Sequence, residues 1–155
     1  MNRYVSLLIG AGLLAGAGLA GSGSALAAAA AYFRQTTAAI PLSSTGGTLT
    51  KIELLTVTPG NWAVTGKAQI VNFGASDIGR CALLVGGTQV DGSGSELGGG
   101  SNYPAVAVLV TQYAFTAKVN TLVQLACSHD ADVAGQYVDP SASLLVVQLP
   151  SGGIR

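Results

Sequence analysis

From Thr48 onward apolar and polar side chains alternate with a period of two, the spacing of strands that bury one face. Ile52 and Leu54 fall on one side, Lys51 and Glu53 on the other. Pro59-Gly60-Asn61 signals a turn. Trp62, Val64, Gly66, Ala68 and Ile70 then alternate with Ala63, Thr65, Lys67, Gln69 and Val71, predicting a long half-buried strand in which Trp62 anchors the core. Cys81, Leu83 and Val85 share a face of the next strand, and Gly86-Gly87 permits a tight turn into Thr88-Gln89-Val90. Asp91 to Asn102 reads as a Gly/Ser loop. Tyr103 to Phe115 is a nearly continuous apolar run whose β-branched and aromatic content predicts a strand buried on both faces. Val119, Thr121, Val123, Leu125 and Cys127 align on one face of another strand. A short strand over 132–137 and a last one over 143–149 complete the set.

This pattern predicts an all-β domain over 48–150: an antiparallel β-sandwich of about seven or eight strands, of Greek-key or jelly-roll type. A small closed barrel is the alternative. Residues 28–47, rich in Ala, Ser, Thr and Gly, read as a flexible arm, and 151–155 as a tail.

The N-terminus follows a different rule. Arg3 is followed by an apolar run from Val5 to Ala20, then Gly21-Ser22-Gly23-Ser24 and the small-residue site Ala25-Leu26-Ala27. This is the layout of a secretory signal peptide over 1–27. The expected location is therefore secreted or extracytoplasmic, at the cell surface or in a periplasm, with no membrane association after cleavage. A retained membrane anchor is the other reading of the same run.

Composition narrows the chemistry. Charged residues make up 9% of the 155-residue chain, and Lys plus Arg equals Asp plus Glu at 7 each. No excess positive charge exists to hold nucleic acid. The 49% apolar content argues against disorder. No phosphate-binding loop or other cofactor motif is present, so no cofactor is expected.

Two cysteines form the most specific constellation. Cys81 and Cys127 both fall on inward strand faces of an exported chain, where thiols meet an oxidising compartment. A disulfide between two strands is predicted, pinning a sheet-on-sheet core. The loop it closes, about 47 residues, corresponds to about 4 kcal/mol in the chain-entropy treatment. The alternatives are two unpaired buried thiols, or a metal site with His129 that lacks a fourth ligand at recognisable spacing.

Few other residues carry chemistry. His129, flanked by Ser128 and Asp130, reads as a surface loop residue, because sequence neighbours on a strand point to opposite faces and cannot form a triad. Asp130, Asp132 and Asp139 form the densest acidic cluster and are weak candidates for calcium, but they lack the twelve-residue calcium-loop pattern. A solvated turn is the plainer reading. Asp91 and Glu96 read as solubilising groups.

The runs Trp62-Ala63-Val64-Thr65-Gly66-Lys67-Ala68, Cys81-Ala82-Leu83, Val123-Gln124-Leu125-Ala126-Cys127 and Ala142-Ser143-Leu144 resemble small secreted bacterial β-sandwich domains. Those are similar to the jelly rolls of the tumour-necrosis-factor and complement globular heads. The resemblance covers about residues 48–149. It implies a non-enzymatic, trimeric, extracellular binding module, although the collagen-like Gly-x-y stalk of such heads is absent from this chain.

The expected function is thus a secreted, disulfide-stabilised, non-enzymatic module that binds a protein or surface ligand, or builds a surface, through loops 73–79, 86–102 and 128–140. The uncharged apolar run 103–115 points to self-association into a homo-oligomer. The alternatives are a secreted hydrolase using His129, Asp130, Asp132 and Asp139, and a membrane-anchored extracytoplasmic domain.

Overall fold

The computed structural model describes residues 30–98 and 103–150. The signal segment 1–27 and the tail 151–155 lie outside the described residues. Ten strands follow in chain order: β1 Ala31–Gln35, β2 Ile40–Pro41, β3 Thr50–Val57, β4 Gly60–Asn72, β5 Asp77–Val85, β6 Thr88–Leu97, β7 Ala105–Ala117, β8 Thr121–His129, β9 Gln136–Val138 and β10 Ser143–Leu149.

They build two antiparallel sheets. In the first, β4 pairs with β7 along one edge. Its other edge pairs with β10 over Asn61–Lys67 and with β9 over Ile70–Asn72. Beyond these lie β1 on β10 and β2 on β9. The second sheet runs β3-β8-β5-β6. The pairings nest: β1 with β10, β2 with β9, β3 with β8, β4 with β7, β5 with β6. A single long hairpin folded over on itself gives this order, which is the jelly-roll form of the sandwich. The chain thus makes two facing sheets rather than one closed barrel.

The strand periodicity places the core as expected. Trp62, Val64, Ala68 and Ile70 of β4 face Leu83, Val123 and Leu125 of the second sheet, all buried. Leu144 and Val146 of β10 close the same layer. The Trp62 indole Nε1 donates to the Thr58 carbonyl at 2.9 Å, which satisfies the polar edge of a fully buried ring. Gly86 and Gly87 have φ of 59° and 83°, the left-handed pair that a two-residue hairpin of the matching twist requires.

Four expectations are corrected. A register shift between Lys51 and Glu53 reverses the phase of β3, so Leu55 and Val57 join Ile52 inside while Leu54 faces out. Residues 91–97, read as loop, continue β6, because β5 supplies a ladder of partners for them. The run 105–117 is not buried on both faces: Val106, Val108 and Val110 are each about half exposed, since β7 is a border strand of its sheet and none of the described residues covers its outer side. Within the expected flexible arm Ala31–Gln35 and Ile40–Pro41 are strands, because β1 and β2 take the hydrogen-bonding edges that β10 and β9 offer.

Candidate functional site

Three inward-facing polar side chains meet at one end of the sandwich. Asp77 opens β5 on the same face as Cys81 and Leu83. His129 ends β8 on the same face as Leu125 and Cys127. Gln136 opens β9 in the opposite sheet. All three are buried. Asp77 Oδ1 accepts from the backbone N–H of Ile78 at 2.7 Å and of Ala131 at 3.0 Å. Asp77 Oδ2 accepts from His129 Nδ1 at 2.8 Å and from the Gln136 side-chain amide. His129 Nε2 donates to the Ser43 carbonyl.

A carbonyl oxygen only accepts, so Nε2 carries a hydrogen; Nδ1 donates to a carboxylate. The ring donates from both nitrogens, the charged form of the imidazole, and the buried pair is neutral overall. Burial by itself raises the Asp77 pKa. The Ile78 amide, the His129 ring, the Ala131 amide and the Gln136 side chain outweigh it and hold the carboxyl below its ordinary value. Gln136 Oε1 is buried without a hydrogen-bond partner.

Around this clasp the connection between β2 and β3 locks onto the one after β8. Gly47 N–H donates to the His129 carbonyl at 2.6 Å, and Gly46 N–H to Asp132 Oδ1 at 2.8 Å. A Cβ built on Gly46 would stand 2.1 Å from the Asp130 carbonyl oxygen, so glycine is required there.

The placement of His129 corrects the surface-loop reading. Its ring is inward because the two-residue period from Val123 through Cys127 continues one step further, a signal present in the sequence. The acidic trio does not converge. Asp130 makes a bidentate pair with the Arg80 guanidinium, both bonds 2.7 Å, at the surface. That partner holds its carboxyl below the usual range. Asp132 caps Gly46, and Asp139 accepts from Gln69 Nε2 at 2.6 Å beside the other sheet. Among the described residues no group of three His, Cys, Asp or Glu side chains is placed to hold a metal ion. Asp91, expected to be a solubilising group, accepts the backbone N–H of Gln112 at 2.7 Å. Trp62 lies inside, as its parity implies.

Cys81 and Cys127 form a disulfide. They are direct partners on β5 and β8, so the bond joins neighbours within the second sheet and does not tie the two sheets together. At this end the Gln136 side chain ties to Asp77 and the Asn72 side chain to the Leu97 carbonyl across the two sheets, while His129 ties to Ser43 in the β2–β3 connection.

Two surfaces remain open. A shallow groove of about 600 Å³ crosses the outer side of the second sheet over Ala82, Gly92, Gly94 and Ser128, with Arg80 and Gln89 at its rim. The outer face of the first sheet carries an apolar patch among polar positions. One cross-strand row runs Phe33, Leu145, Thr65, Gln112. Val106, Val108 and Val110 extend it along β7, and Phe73 stacks on Tyr137 at its corner, ring centroids 6.2 Å apart. Lys67 is the charged residue among the described outward-facing strand positions of this sheet. With strands of up to 13 residues in four columns, the face measures on the order of 40 by 15–20 Å.

No known protein family matches the chain, and no curated protein matches it. Among solved structures, the crystal structure of dimeric latent PorU from Porphyromonas gingivalis resembles it, with a TM-score of 0.46 and 12% identity over 83% of this chain. This chain corresponds to 13% of the PorU chain. Among the described residues no helix is long and apolar enough to cross a membrane.

Proposed function

We propose that this protein is an exported, non-enzymatic binding module that engages a partner protein or surface through the outer face of its first sheet. The observation that carries this reading is that face: half-exposed Phe33, Val106, Val108 and Val110 with Leu145, and Lys67 as the one charged residue among its described strand positions. Its area, on the order of 600–800 Å², is comparable to one side of a standard protein interface, about 800 Å². The polar groups support the same reading from the other direction. His129 spends both ring nitrogens on Asp77 and Ser43, and Asp130 is spent on Arg80. The disulfide suits an oxidising compartment outside the cytoplasm. The nested strand pairing is also that of the jelly rolls which the sequence resembles.

The test is partition of the chain between envelope and medium in a cell that exports it. The protein is expected on the envelope. Phe33→Ser and Leu145→Ser variants that keep the wild-type melting temperature are expected in the medium. Face variants retained like the wild type, or a protein that never leaves the cytoplasm, would overturn the proposal. A hydrolytic activity lost in Asp132→Asn but not in the face variants would replace it.

A further inference from the structure

We infer that the groove across the outer side of the second sheet binds an uncharged, ribbon-like glycan, a chain of equatorially linked sugar rings. The groove lies on the opposite side of the sandwich from the apolar patch of the first sheet, and its use is independent of that patch.

Two cross-strand rows make the floor: Ser128, Arg80 and Gly94, then Ala126, Ala82 and Gly92. A glycine inside a strand weakens it, and it marks a bulge, a bend or a place where a ligand or another backbone comes close. Gly92 and Gly94 answer no such need within the fold. Neither has a left-handed φ. The register shift of the β5–β6 ladder, between Leu83 and Leu84, falls ahead of both. A Cβ on Gly92 would meet the Gln89 amide nitrogen at 3.0 Å, the end of a flexible side chain. On Gly94 it would stand 3.4 Å from the Gly79 carbonyl oxygen and 3.5 Å from the Arg80 side chain, ordinary contacts. What the two glycines do is keep the floor clear. The trough above it holds about 600 Å³, within the roughly 300–1,000 Å³ of small-molecule sites.

A second, independent observation is an unpartnered hydroxyl. Ser128 is 4% exposed, and no described residue hydrogen-bonds its side chain. It alternates with inward Cys127 and His129, so it faces outward, and it lines the groove. A polar group buried this far normally has a partner, and the open side of this one is the groove.

Two more unused groups flank the glycines. Arg80 gives Nε and Nη2 to Asp130, while its Nη1 stands 3.6 Å from the Cβ position of Gly94 and bonds to no described residue. The Gln89 amide, likewise without a described partner, stands beside Gly92. Leu49, 44% exposed, adds an apolar stretch of rim.

Charge and shape select the occupant. The Arg80–Asp130 pair is neutral overall, so an anion that meets Arg80 also meets a carboxylate. The groove offers donors, acceptors and a hydroxyl that is both, the same mixture that sugar hydroxyls present. A floor of Cα–H and methyl groups suits the C–H face of a sugar ring. An extended peptide laid on this face finds no open strand edge, because β8, β5 and β6 are hydrogen-bonded to one another beneath it, and no pockets for alternate side chains.

Titration with cellohexaose, chitohexaose and the corresponding mannohexaose, followed through the backbone amide NMR signals, tests this. At least one of the three is expected to shift Ala82, Gly92, Gly94 and Ser128 and to leave Val106, Val108 and Val110 on the opposite face in place. Ser128→Ala is expected to weaken that binding roughly threefold to tenfold. Since the hydroxyl has no partner within the fold, this variant is expected to melt no lower than the wild type. Gly94→Leu fills the trough and is expected to abolish binding; should it fail to fold, Ser128→Ala still decides. The absence of shifts with all three sugars overturns the inference. So do shifts spread equally over both faces, or affinity untouched by Ser128→Ala. Preference for the uronic-acid counterpart of cellohexaose, or for an extended Ala-Gly peptide, overturns it as well. Loss of envelope retention in the Phe33 and Leu145 variants bears only on the first sheet and leaves these shifts unchanged.

Discussion

Replacing Asp77 with alanine removes the acceptor at the centre of the clasp. Four donors then lose their partner: the amides of Ile78 and Ala131, the ring of His129 and the side chain of Gln136. The ring is the costly one, because it is buried and donates from both nitrogens, so the substitution strands a charge. Breaking a buried ion pair from one side costs about 3–5 kcal/mol. That is a large share of a domain's total stability, about 5–15 kcal/mol. For a domain of this size the melting temperature is expected to fall by roughly 10–20 °C. Urea unfolding followed by far-ultraviolet dichroism and by the fluorescence of buried Trp62 measures the loss. The double variant Asp77→Ala with His129→Leu is expected to cost less than the two single changes added together, since it removes the stranded charge as well. If Asp77→Ala costs under about 1 kcal/mol, or if the two changes simply add, the clasp is not a coupled buried pair and the reasoning fails.

Asp77 ionises more readily folded than unfolded, so its contribution is complete above the unfolded pKa and is lost as pH falls through the folded one; stability is expected to drop below about pH 4, and Asp77→Ala to flatten that acid limb in denaturant titrations. Reducing the Cys81–Cys127 bond, or replacing both residues with alanine, is expected to lower stability by about 4 kcal/mol without changing the strand signature in dichroism, because the bond joins strands that are already paired. Gly46→Ala drives a methyl into the Asp130 carbonyl and is expected to cost about 1–3 kcal/mol by thermal melting, whereas an alanine at open Gly98 is expected to leave it unchanged.

The class of fold and the disulfide can be read from the residue pattern alone. Two-residue alternation in 62–70, 81–85 and 119–127 assigns each side chain to a face, because a strand allows only two. It also put both cysteines inward, which is the condition for their pairing. The same arithmetic carried one step past Cys127 would have turned His129 inward. The remainder depends on contacts between segments far apart in the chain. Which residue faces His129 depends on β5 and β9 arriving at the same end of the sandwich, separated in the chain by 52 residues for Asp77, and no local pattern encodes that distance. Asp91-Gly92-Ser93-Gly94 has the composition of a loop and becomes strand because β5 supplies a ladder for it. The valines of β7 read as core because of their hydrophobicity, whereas their place on the outer face of a border strand leaves them half exposed.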